Sequence, residues 1–210
     1  GGKKIEPKLI ERIQDRRGNT IFNSDKRDCI GCDRFSESNS DIPEIKNNYR
    51  QIISEETAYQ ITSMLEGAVK RGTGKKLRDL NVPLAGKTGT TNNNFDAWFI
   101  GFSSKLVIGV YVGYDEPKSL GRYETGAKAA LPVFKNFVKK ALYKDDFQPF
   151  TIPNGIYFSA INYDTGEKDN FSNTKAIVEA FKSNDINKMQ NNNLDTLNNY
   201  DKIIKFRQFY

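Results

Sequence analysis

The chain contains no histidine. That absence excludes Ser-His-Asp and Cys-His catalysis within these residues and removes the commonest metal ligand. Cysteine is almost as scarce. Cys29-Ile30-Gly31-Cys32 offers two of the four ligands of a structural zinc site, and no other Cys or His can complete it. A thioredoxin-like redox centre needs a strand-to-helix setting, whereas residues 23–50 read as a polar surface loop. No apolar run is long enough to span a membrane. Neither an initiating Met nor a signal peptide is present. The chain opens Gly1-Gly2 and reads as a fragment of a longer polypeptide. No internal repeat is visible.

What is present suits one domain with a real core, at 210 residues. The net charge of +6 and pI near 9.1 permit contact with an acidic polymer or a membrane surface. Lys and Arg are scattered among many Asn residues and form no stripe, so they read as a solvated surface.

Local pattern gives the coarse organisation. Residues 8–13 and 20–22 flank Asp15-Arg16-Arg17-Gly18-Asn19, a hairpin signal. A helix is predicted over 55–71. Ser54 suits its N-cap, Glu55 and Glu56 suit the positive end of its dipole, and Gly72 and Gly74 stop it. Its apolar stripe reads as Ala58, Ile61, Leu65, Ala68 and Val69. Strands are predicted over 84–91, 97–102 and 106–114. The last two are joined tightly by Ser103-Ser104-Lys105 and so lie antiparallel. The apolar run at 107–112 predicts a strand covered on both faces. A second helix is expected over 127–143, with Pro132 early, where a missing N–H costs least. Residues 156–168 predict a hairpin turning at Asp164-Thr165-Gly166. The Asn-rich residues from 183 to 210 predict a mobile polar tail.

The chemistry concentrates in Lys87-Thr88-Gly89-Thr90. A strand-borne Lys places a fixed positive charge beside a carboxylate, and the two Thr residues offer short hydroxyls. Gly89 leaves room for a substrate backbone, and a backbone N–H near Thr90 could stabilise an oxyanion. A surface turn is the bland alternative. A phosphate-binding loop fails, because G-x-x-x-x-G-K-[ST] would need Gly where Asn81 stands. Pro83 would also remove a donor, and residues 89–94 are poor helix formers.

Residues 84–102, LAGKTGTTNNNFDAWFIGF, carry this tetrapeptide into a longer pattern. K-T-G-T-T is followed by a polar turn and D-A-W-F-I-G-F. Val112-Gly113-Tyr114-Asp115 comes next, and then a helix start, Gly126-Ala127-Lys128-Ala129-Ala130-Leu131-Pro132. Arg71-Gly72-Thr73-Gly74 lies upstream, the opening Gly-Gly precedes the first hairpin, and Pro153-Asn154-Gly155-Ile156 precedes the last. In that order, over about residues 1–170, the chain resembles the transpeptidase domain of bifunctional class A penicillin-binding proteins.

The resemblance implies an α/β (α+β) domain of the serine β-lactamase-like type, an antiparallel sheet packed with helices. Residues 1–182 would form the C-terminal portion of the transpeptidase domain. In this family a serine attacks the penultimate D-alanine carbonyl of a peptidoglycan stem peptide, and a neighbouring amine resolves the acyl-enzyme. Lys87 would be the K-T-G lysine. Thr88 and Thr90 would bind the carboxylate of the substrate or a β-lactam, Gly89 would allow close approach, and Thr90 N–H would be an oxyanion donor. No cofactor, metal or nucleic acid is implied. The intact protein would carry a glycosyltransferase domain and an anchor in the inner membrane, facing the periplasm.

Two family motifs do not carry over. S-x-N is absent, and the single S-x-x-K match, Ser172-Asn173-Thr174-Lys175, follows the K-T-G strand in a polar stretch instead of preceding it on a rigid helix. The chain alone is therefore expected to be catalytically inactive, with its nucleophile in the missing part of the domain. The alternative is a non-catalytic wall-binding or scaffold module with the same fold. An oxidising compartment, as the resemblance implies, leaves three readings of Cys29 and Cys32: a small disulfide first, then a reduced pair, then half of an intermolecular metal site. Trp98 reads as core packing on a strand beside the K-T-G strand, or as a brace of the site. Asp96 reads as a cap of the polar turn 91–95.

Overall fold

Turn chemistry sets the first element. Asp15 accepts the N–H groups of Arg17 and Asn19 at 2.8 and 2.9 Å, and Gly18 supplies a left-handed φ of +86°. The expected hairpin forms around it, with β1 at Arg12–Gln14 paired antiparallel to β2 at Thr20–Asn23. The first strand begins later than the apolar run from Lys8 suggested. The computed structural model describes residues 1–27, 29–30, 44–45, 49–143, 147–170 and 173–183. These fall into two units, Gly1–Ser54 and Glu55–Tyr210. The first also contains the short pair β3 (Cys29–Ile30) and β4 (Glu44–Ile45). The expected pairing of Cys29 with Cys32, the Ser172 match and the tail 184–210 lie outside the described residues.

The second unit begins with α1, Glu55–Lys70, with acids in its first turn and a base in its last, as the helix dipole favours. Its buried side differs from the expected stripe. Tyr59, Ser63, Glu66, Gly67 and Val69 are buried, while Ile61 and Met64 stand 50% and 59% exposed. Of the five expected residues only Val69 is fully buried, because β9 and the sheet meet the helix on its Tyr59–Glu66 side. A 3-10 turn, Lys75–Leu80, follows and ends on Asn81 in the left-handed region.

Three strands come next: β5 at Ala85–Thr90, β6 at Ala97–Phe102 and β7 at Val107–Val112, in the order β5-β6-β7 and all antiparallel. The helix α2, Ala130–Ala141, covers the inner face, with Pro132 at its third residue. Phe99 and Phe134 meet edge-on at 4.7 Å and are fully buried. Around them Val69, Leu77, Leu84, Ala97, Leu131 and Val138 complete the core.

The expectation of a β7 covered on both faces is not met. Val107 and Tyr111 are 69% and 49% exposed, alternating with half-buried Ile108, Val110 and Val112. No described element lies over the outer face at those positions, so an apolar run that suits a central strand is here an edge strand.

The second correction concerns the chain end. The strand β8, Ile156–Asn162, pairs over its whole length with β9, Ala176–Lys182, instead of with residues up to 168. The turn expected at 164–166 exists, with Asn162 Oδ1 accepting Asp164 N–H at 2.9 Å and Gly166 at φ +73°. Lys168 makes one isolated bridge to Ile161. Alternate β8 and β9 residues pack on Tyr59 of α1 as a second small core, and Arg71 pairs with Glu179 at 2.6 Å.

Candidate functional site: the free edge of the Lys87–Thr90 strand

The four residues singled out from the sequence lie on β5, at the end of the sheet order. A strand here removes the phosphate-loop alternative, which requires Lys87 and Thr88 to open a helix. Register places Lys87 opposite Ile100, Thr88 opposite Phe99, Gly89 opposite Trp98 and Thr90 opposite Ala97. Cross-strand partners share a face, so Lys87 and Gly89 belong to the outer face and Thr88 and Thr90 to the inner one.

The ladder continues into the turn, where Thr91 N–H donates to Asp96 O at 3.1 Å. Antiparallel pairing alternates, so Gly89 and Lys87 direct their backbone groups at β6. Gly86, Thr88 and Thr90 then direct theirs to the opposite edge, which no described strand covers. Lys87 Nζ curls to this edge and donates to Thr88 O at 3.0 Å, with Thr88 Oγ1 at 3.4 Å. An ammonium, two outward N–H groups and two hydroxyls thus converge along one free edge.

Neighbouring segments fix these groups. Thr88 Oγ1 lies 2.9 Å from Thr73 Oγ1, in the turn that ends α1. Thr90 Oγ1 accepts Gly126 N–H at 3.0 Å and keeps its own proton to donate. Gly126 has to be glycine: a Cβ there would fall 2.3 Å from Trp98 O and 2.5 Å from Gly89 O. A Cβ at Gly89 would meet Trp98 Cβ at 3.2 Å. The absent side chain at Gly89 therefore already has a packing reason besides room for a ligand. Sequence reading did not single out Thr73 or Gly126 as supports of the site. Their only signal was membership of two family patterns, Thr73 in the upstream R-G-T-G turn and Gly126 as the first residue of the helix start that runs to Pro132.

Trp98 does not pack in the core. It is 40% exposed on the outer face, with its ring 4.8 Å from that of Tyr111. Tyr111 Oη donates to Asp96 Oδ1 at 2.9 Å, and this bond is the chief cause holding the phenol above its ordinary pKa. Asp96 and Thr91 close the turn reciprocally: Asp96 Oδ2 accepts Thr91 Oγ1–H at 3.3 Å, and Thr91 Oγ1 accepts Asp96 N–H at 2.8 Å. Among the described residues no group of His, Cys, Asp and Glu could hold a metal, and no helix is long and apolar enough to cross a membrane.

Comparison with known proteins adds the family. The penicillin-binding protein transpeptidase domain model matches residues 1–139. Penicillin-binding protein 1A of Rickettsia felis is 40% identical over 204 residues, covering 96% of this chain and 25% of the relative. The Pseudomonas aeruginosa protein of the same name is 33% identical over 215 residues, covering 88% and 26%. A crystal structure of penicillin-binding protein 1A from Haemophilus influenzae matches with a TM-score of 0.65 at 31% identity, over 87% of this chain and 30% of that one. The chain thus spans about a quarter of the length of these curated relatives.

Proposed function

Because the chain belongs to the penicillin-binding protein transpeptidase domain family, with the mixed helical and antiparallel-sheet fold of that domain, we propose that it supplies one wall of a serine D,D-transpeptidase site in peptidoglycan synthesis. The observation that carries this reading is the free edge of β5, where the ammonium of Lys87 and the outward backbone groups of Thr88 and Thr90 converge.

On this reading a stem peptide ending in D-Ala-D-Ala lies along the uncovered edge as an added strand. The hydroxyls of Thr88 and Thr90 donate to its terminal carboxylate. Thr90 N–H faces the carbonyl oxygen, where negative charge develops as a tetrahedral intermediate forms. Lys87 places its positive charge beside both. β-Lactams, carrying a carboxylate beside a reactive carbonyl, occupy the same groups. The serine that attacks and its lysine come from an S-x-x-K helix outside these residues, so the 210-residue chain forms no acyl-enzyme. The intact protein also polymerises glycan strands and works on the periplasmic face of the inner membrane, through an anchor outside these residues.

Labelling with a fluorescent penicillin tests this. The 210-residue chain stays unlabelled, and the longer polypeptide encoding S-x-x-K and S-x-N upstream is labelled. In that longer protein Lys87→Ala lowers the acylation rate at least 100-fold, the order of a lost electrostatic stabiliser, with the fold kept. Unchanged acylation would remove Lys87 from the site. An upstream gene segment lacking S-x-x-K would leave the non-catalytic wall-binding module instead.

A further inference from the structure

Lys75, Lys76 and Arg78 are neighbours in the sequence, and folding brings Lys135 of α2 to them. A concavity of about 540 Å³ is lined by Lys75, Lys76, Arg78, Asp79, Leu131, Pro132 and Lys135. Four cations face one carboxylate there. Asp79 is already engaged: Lys135 Nζ donates to Asp79 Oδ2 at 2.7 Å and to Lys76 O at 2.6 Å. This bond is the chief cause holding the Asp79 carboxyl below its ordinary pKa, and Lys139 also contributes. Lys75, Lys76 and Arg78 are exposed, and no described residue forms an ion pair with any of them.

The walls are fixed. Leu77, 2% exposed, pins the 3-10 turn into the core, and Asn81 N–H closes it onto Arg78 O. The Lys135 clamp joins that turn to α2, while Pro132, half-buried above the core residue Leu131, gives the concavity an apolar side. Its size falls within the ordinary range of small-ligand sites, roughly 300–1,000 Å³. Lys supplies compact positive charge and Arg a planar fork matched to two oxygens of one anion.

We propose that this concavity binds a phosphate ester, with the anion on Lys75, Lys76 and Arg78 and its organic arm against Pro132. A free ester and a phospholipid headgroup share this chemistry. The site involves none of the residues assigned to transpeptidation and stands or falls apart from that function.

Calorimetric titration of the 210-residue chain with glycerol 3-phosphate at low ionic strength tests it, since such contacts are screened by salt. Saturable binding is expected. The triple variant Lys75→Ala, Lys76→Ala, Arg78→Ala loses at least tenfold in affinity. The charge-matched triple Arg12→Ala, Arg16→Ala, Arg17→Ala changes it less than twofold. Asp79→Asn removes the one carboxylate among the described lining residues and tightens binding, a gain that misfolding cannot imitate. Sedimentation with vesicles of phosphatidylglycerol or of phosphatidylcholine alone identifies the source. Retention on the anionic vesicles, released by glycerol 3-phosphate, assigns the headgroup; binding of the soluble ester without retention assigns the free ester. Equal loss in both triples, or no saturable binding, overturns the proposal.

Discussion

The two faces of the β5-β6-β7 sheet have nearly the same hydrophobic composition and opposite fates. On the inner face Ala97, Phe99 and Gly101 are buried under α2. On the outer face Trp98, Ile100, Val107 and Tyr111 remain 40 to 69% exposed. The exception is the Phe102 end, where Phe150 meets Phe102 at 5.6 Å. Strand alternation decides which residues share a face, but only a covering element turns an apolar face into a core. Lys87 stands on the uncovered side, beside the edge it shares with Thr88 and Thr90.

The largest expected effect breaks the covered face. Phe134→Ala removes the partner of Phe99 and leaves a cavity, costing about 3–5 kcal/mol. Chemical denaturation of the chain measures it, and a loss below about 1.5 kcal/mol would mean that α2 is not the principal cover.

A second, smaller effect separates the faces by pH, with opposite signs. The Asp79 carboxyl, under the Lys135 clamp that ties α2 down, has a depressed pKa. Its contribution is present above the unfolded carboxylate pKa and is lost as pH falls through the folded value. On the outer face the Tyr111 phenol is raised by Asp96. That contribution is complete below the unfolded phenol pKa and is lost as pH rises through the folded value. Thermal melts across pH should therefore show an acid-side loss made smaller by Asp79→Asn and an alkaline-side loss made smaller by Tyr111→Phe. The same side affected in both variants would refute the assignment.

The smallest effect sharpens the contrast. Ile100 is 49% exposed, so Ile100→Ser should cost within about 0.5 kcal/mol in the 210-residue chain. The same substitution in a longer polypeptide reads out whether another segment covers the outer face, since a buried Ile is worth about 1.5–3 kcal/mol.

Much of the fold was legible because its signals are local. The turn at Asp15–Asn19, the acids that open α1, the Gly residues that close it and Pro132 near the start of α2 all act within a few residues of themselves. Lys87 to Thr90 were legible as a strand for the same reason. The failures were non-local. The stripe Ile61–Leu65 has helical period, yet periodicity does not say which side of α1 meets β9. The partner of β8 lay past a turn, in a strand at 176–182 whose pairing no short window could reveal. Trp98 looked like a core residue by type, and its exposure depends on what covers the sheet. Thr73 and Gly126, which hold Thr88 and Thr90, carry no chemical signal of their own.

Sequence by itself indicated the helices α1 and α2 and most of the strands, and it brought Lys87, Thr88, Gly89 and Thr90 together in one strand with alternating faces. The ordered pattern around them also identified the family. Tertiary structure alone decided that β5 is the end strand, that the backbone groups of Thr88 and Thr90 point to its open edge, and that Lys135 joins Lys75, Lys76 and Arg78 around one concavity. The physical reason is one of range. Backbone preference and side-chain alternation are set over a few residues, whereas edges, covered faces and charge clusters exist only once distant segments have packed.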